Sequence, residues 1–104
     1  MRLLAIKRYA DWVSKPKFVF VDIEQLNDET IKLLLNKMRE ERIKNVGGFV
    51  VLEIHKDFCY LYTFRNGIPK SLHDFYERDE SVGYLRFDEL RIINWAFENY
   101  LKYG

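Results

Sequence analysis

Four side chains in this sequence could together do acid–base or metal chemistry: Glu53, His55, His73 and Asp74. Two imidazoles and a carboxylate suffice for an open zinc or iron position, and a carboxylate beside an imidazole can pass a proton. Their spacing follows no metal signature, with no HExxH, no HxH and no paired carboxylates. Cys59 is the single cysteine; in the hairpin register below it points at the core and lacks a charge partner, which predicts an inert, buried thiol. Gly47-Gly48 precedes an apolar run with no lysine after it, so it is not a phosphate loop. The expectation is therefore no catalytic residue, no metal and no cofactor. Glu53, His55 and His73 stand as a candidate polar site.

The elements that would position these residues begin with "GGFVVLEIHKDFCYLYTFRNG", residues 47 to 67. A two-residue turn at Lys56-Asp57 pairs His55 with Phe58 and fixes the register of a hairpin. One face then pairs Ile54 with Cys59, Leu52 with Leu61, and Val50 with Thr63. This side is expected to pack on the helix predicted over residues 28–45. The other face pairs Phe49 with Phe64, Val51 with Tyr62, and Glu53 with Tyr60. Asn66-Gly67 is a type I′ turn signal and predicts a third antiparallel strand over 68–72, which would confine Pro69 to an edge. That strand would set His73 opposite Tyr60, in one row with Glu53.

The remaining chain divides by periodicity. Residues 2–14 plot as an amphipathic helix with Leu4 off its apolar arc, ended by Pro16. "KFVFVDI", 17–23, predicts a strand, and Asn27 or Asp28 caps the following helix, which Gly47-Gly48 stops. Residues 74–81 suggest an acidic loop or a single helical turn, "GYLRF" a short extended piece, and Asp88 the cap of a last helix to about Tyr103. The fold class is α+β: an antiparallel-rich sheet of three to five strands with about three helices, in the order α-β-α-β-β-β-α.

The aromatic face, with Phe58, Tyr60, Tyr62 and Phe64, has three readings. The terminal helices cover it and make three layers; it is half of a homodimer or partner interface; or it stacks unpaired bases. Base stacking would need phosphate contacts, and Arg2, Lys7, Arg8, Lys15 and Lys17 supply a basic N-terminal cluster. The face itself carries Glu53 and no arginine, which tells against it. Trp95 lies off the apolar arc of the last helix beside Ile92. It packs either next to Trp12 or against a partner.

Bulk properties narrow the class further. The chain has 104 residues, which fits one domain over 1–104. Apolar residues make up 48% and aromatics 16%, enough for a real core. A net charge of +1 gives no overall pull towards nucleic acid or membrane. No signal peptide and no spanning apolar run is evident, which predicts a cytoplasmic protein with no membrane partner. Charged residues at 32% with one glutamine fit a thermophilic source.

The segments "LNDETIKLLLNKM", "GGFVVLE", "YLYTFRNGIP" and "GYLRFDEL", in that order, resemble the PATAN-type regulatory module of prokaryotic signalling proteins, a small α/β domain of profilin- or roadblock-like character. The resemblance spans roughly residues 17 to 101 and rests on Gly48, Phe64, Asn66, Gly67, Gly83 and Leu90. The chain departs from it at Pro69 and Lys70 and by its N-terminal segment. The composition is also similar to that of proteins from hyperthermophilic archaea and their viruses. The resemblance implies a regulatory, non-enzymatic interaction role. The leading expectation is accordingly a self-associating protein–protein interaction domain; the alternative is a single-stranded nucleic-acid binder.

Overall fold

The computed structural model describes residues 1–7, 17–56, 58–80 and 83–85. Within them the elements are β1 (Arg2–Lys7), β2 (Phe18–Asp22), α1 (Asp28–Glu40), β3 (Phe49–Ile54), β4 (Cys59–Phe64), α2 (Leu72–Arg78) and β5 (Gly83–Leu85). The strands form one sheet in the order β2-β1-β3-β4-β5. Every neighbouring pair is antiparallel. The class is α+β, as expected, but the first two described elements are strands, and residues 2–7 are not helical.

The first correction concerns residues 2–7, which form a central strand. "LLAI" is apolar at consecutive positions because both faces of β1 are buried: Leu3, Leu4, Ala5 and Ile6 are at most 2% exposed. A strand covered on both sides loses its alternation and can be mistaken for a helix. Leu4, which did not fit the helical arc, faces away from Leu3 and Ala5. The part of the expected helix beyond Lys7 lies outside the described residues, as does the expected helix from Asp88.

α1 starts where the sequence indicated. Asn27 accepts from the Thr30 N–H at 3.0 Å, and Thr30 Oγ1 accepts from the Asn27 N–H at 2.9 Å, a reciprocal capping box. The helix ends earlier than expected, at Glu40, in a Schellman arrangement. The Ile43 N–H bonds to Met38 O and the Arg42 N–H to Arg39 O, with Arg42 in the left-handed region at φ 58°. Ile31, Leu34 and Met38 form its buried stripe.

The β3–β4 hairpin has the register that its turn predicts, from Phe49 opposite Phe64 to Ile54 opposite Cys59. His55 donates its N–H to Phe58 O at 2.8 Å, closing the turn. The chain after β4 does not form the expected third strand. Gly67, at φ 87°, turns it towards the loop after α1, where its N–H bonds to Gly47 O. Ser71 then caps α2 through the Asp74 N–H, so 72–78 is helical; this replaces the expected strand end and agrees with the helical-turn reading of 74–81 rather than the loop.

Both helices lie on the aromatic face of the sheet, and this is a second correction. Ile31, Leu34 and Met38 from α1 and Phe75 from α2 join Leu3, Ala5, Phe49, Val51, Tyr62 and Phe64 in one core cluster. Phe75 sits 4.7 Å from Tyr62 and 4.8 Å from Phe64, ring centre to ring centre. Large rings fill the gap between sheet and short helix, a volume that smaller side chains would leave open. The other face, with Val50, Leu52, Cys59 and Leu61, is fully buried as well. Alternation alone could not say which face took α1.

Candidate functional site

The structure brings Glu53 and His55 together and sends His73 elsewhere. Glu53 lies near the end of β3 and His55 is the residue just past that end, two positions on and therefore on the same face. His55 Nε2 lies 2.5 Å from one Glu53 carboxylate oxygen, and Tyr62 donates its hydroxyl to the other at 3.0 Å. Phe58 stacks on the imidazole with ring centres 4.2 Å apart. Glu53 is thus satisfied at both oxygens by groups from its own hairpin. Burial, and then the Glu53 charge, push the Tyr62 hydroxyl far above the usual phenol range. The same two causes raise Tyr76.

That arrangement accounts for a carboxylate inside an aromatic face, since a half-buried anion is tolerated when it is hydrogen-bonded at each oxygen. Chemically the pair could orient an imidazole. Cys59 cannot serve it as a nucleophile, because it points into the opposite layer, where burial raises its thiol to about 12. The sequence reading of an inert cysteine agrees with this placement.

His73 sits exposed on α2, where Nε2 lies 3.2 Å from Glu77 one turn on. The expected row of Glu53, Tyr60 and His73 does not exist, because the segment after Asn66-Gly67 leads into α2 and the strand beside β4 is β5, which sets Tyr84 opposite Tyr60. Tyr60 does lie opposite Glu53, as predicted. Asp74 joins His73 and Glu77 in a group whose ligand atoms lie within 4.8 Å of one another, all on one short helix. Surface carboxylates one turn apart with a histidine are an ordinary ion pair.

Two of the aromatic interface candidates are core. Tyr62 is 3% and Phe64 1% exposed, so neither can meet a partner or a base. Tyr60 and Phe58 are half-buried, with Tyr60 against Tyr62 at 4.9 Å and Phe58 on His55. α2 covers the part of this face at Tyr62 and Phe64, through Phe75. Trp95 and Ile92 lie outside the described residues.

Among the described residues, the basic candidates Arg2 and Lys7 lie towards opposite ends of β1. Arg2 pairs with Asp22 at 3.2 Å and caps the Phe20 ring at 4.4 Å. Lys7 is turned to the other end of β1, donating to Val46 O and, at 3.1 Å, to Lys44 O. Burial lowers its pKa. Lys17 is exposed, and Arg8 and Lys15 lie outside the described residues.

Two surface grooves went unread in the sequence. One, of about 430 Å³, runs between β2 and α1 and is lined by Phe20, Val21, Asp22, Leu33, Asn36, Lys37 and Glu40. The other, of about 490 Å³, lies at the C-terminal end of α1. Leu33 is exposed on a helix and Phe18 and Phe20 on a strand, a signal visible only once the faces are sorted. No helix among the described residues is long and apolar enough to cross a membrane. No family model, curated protein or solved structure matches this chain.

Proposed function

We propose that this chain is a non-enzymatic protein–protein interaction domain that self-associates edge to edge along β2. The observation that carries this is that Phe20 and Leu33, 42% and 53% exposed, both line one groove at the outermost of the described strands. Large apolar side chains concentrated at a sheet edge mark an association surface.

The backbone supports the same reading. Lys7 N–H bonds to Lys17 O and Ile23 N–H to Met1 O, so residues 17, 19, 21 and 23 turn their polar groups to β1. By the alternation of an antiparallel pair, Phe20 and Asp22 turn theirs outwards. A second copy is the occupant that suits this edge. The groove carries both signs, with Asp22 and Glu40 against Lys37, and a mixed surface is self-complementary across a two-fold axis. Antiparallel pairing centred on Phe20 would place the two Phe20 rings side by side.

The interaction role implied by the PATAN-type resemblance agrees with this, although the surface is an edge rather than the sheet face. Light scattering on size-separated protein tests it. A dimer is expected, with Leu33→Asp shifting it to monomer; a wild-type monomer at every concentration would overturn the proposal.

A further inference from the structure

The groove at the end of α1 has an unusual combination of floor and rim. Its floor is aliphatic, made by Leu35, Met38, Ile43 and Val46, the last 61% exposed. Its rim carries Arg39, Arg42, Lys44 and Lys70, with no carboxylate among the lining residues. All four cations are exposed. Among the described residues none of them makes an ion pair: Lys37 takes Glu40 and Glu41, and Arg65 takes Glu80. The dipole of α1 accounts for a cation at Arg39. It does not account for Lys70, which arrives from the segment before α2.

The rim is also held in place before any ligand arrives. Lys7 reaches up from β1 to the carbonyls of Lys44 and Val46. Asn45 bonds both backbone groups of Ile68, fixing the loop to the segment that carries Lys70. Gathered like charges beside exposed aliphatic surface do nothing for the fold, since they repel one another. They suit a ligand that is apolar and anionic together.

We propose that this groove binds an acidic peptide segment of a partner protein. An aliphatic anchor sits over Met38 and Ile43, and flanking carboxylates meet Arg39, Arg42, Lys44 and Lys70. Charge complementarity selects this occupant. A second copy of the chain is disfavoured, because its own rim is equally cationic. A nucleic acid is disfavoured because no aromatic ring lines the groove to stack a base. The site is separate from the β2 edge, so the two proposals stand or fall independently.

Fluorescence anisotropy with a labelled peptide of alternating glutamate and leucine tests the site. Saturable binding is expected, weakened about tenfold or more by Arg39→Glu or Lys70→Glu, the loss of one well-placed charge contact. Lys32→Glu, which makes the same change of net charge outside the groove, should leave binding unchanged. Replacing the peptide's glutamates by glutamine, or its leucines by serine, should each weaken binding. Leu33→Asp, which disrupts the β2 edge, should not. No binding, equal weakening by Lys32→Glu, or tighter competing binding of single-stranded oligothymidylate would each overturn the proposal.

Discussion

Asn45 pairs with Ile68 as one strand pairs with another. Its side-chain oxygen accepts from the Ile68 N–H at 2.7 Å and its amide nitrogen donates to Ile68 O at 2.8 Å. Ile68 is 2% exposed, so no solvent can replace these bonds. A single side chain thereby joins the loop after α1 to the segment leading into α2.

Asn45→Ala should destabilise the fold by about 2 kcal/mol, since it strands a buried donor and a buried acceptor together. Asn45→Asp keeps the acceptor and loses the donor, and should fall between wild type and alanine. Urea midpoints of the three proteins at constant slope check the order.

Gly67 should tolerate no side chain. Its φ is 87°, and a Cβ there would lie 2.6 Å from Asn45 O, a backbone atom that cannot swing away. Gly67→Ala is expected to cost about 3 kcal/mol from strain and displacement of the loop. Urea unfolding measures it, and an effect below about 0.5 kcal/mol would contradict the close approach.

Arg42 occupies the position where glycine usually ends a helix, at φ 58°. Arg42→Gly should raise stability by about 1 kcal/mol, through relief of the left-handed strain. The same change should weaken binding of the acidic peptide, because it removes a cation from the rim. Thermal melts and anisotropy on one variant should thus move in opposite directions.

Stability should fall in alkali. Burial raises Cys59 from 9.0 to about 12, and Tyr62 is raised as well. Both groups are neutral when protonated, and the folded state holds their protons more tightly than the unfolded chain does. Their contribution is therefore complete below pH 9 and is lost as pH rises towards 12. Melting temperature against pH should be level near neutrality and decline above about pH 9. In Cys59→Ala the decline should begin later, leaving the tyrosine part.

The hairpin was legible because its determinants are local. The two-residue turn expected from the sequence at Lys56-Asp57 predicts the whole register, and the observed pairs follow it residue by residue. The cap at Asn27 was legible for the same reason. β1 was not, because burial on both faces erased the alternation that distinguishes a strand. The segment after Asn66-Gly67 misled because glycine serves a close approach to Asn45 there, which only the tertiary fold supplies. A usable signal lay nearby: Ser71 with Asp74 three residues on is a helix-start pattern.

The candidate site divides along similar lines. Glu53 and His55 are two residues apart in one hairpin arm, and the sequence placed them together. His73 was assigned to their row through the strand that does not form. The two grooves were not legible, since each joins residues from distant segments: Phe20 with Leu33, and Arg39 with Lys70.

Amide hydrogen exchange at Phe20 tests the proposed self-association most directly. Its N–H points away from β1, and among the described residues none bonds to it. The proposal predicts that exchange at Phe20 slows about tenfold or more as protein concentration rises through the association range, and that Leu33→Asp restores fast exchange. Exchange at Phe20 that is independent of concentration would contradict it.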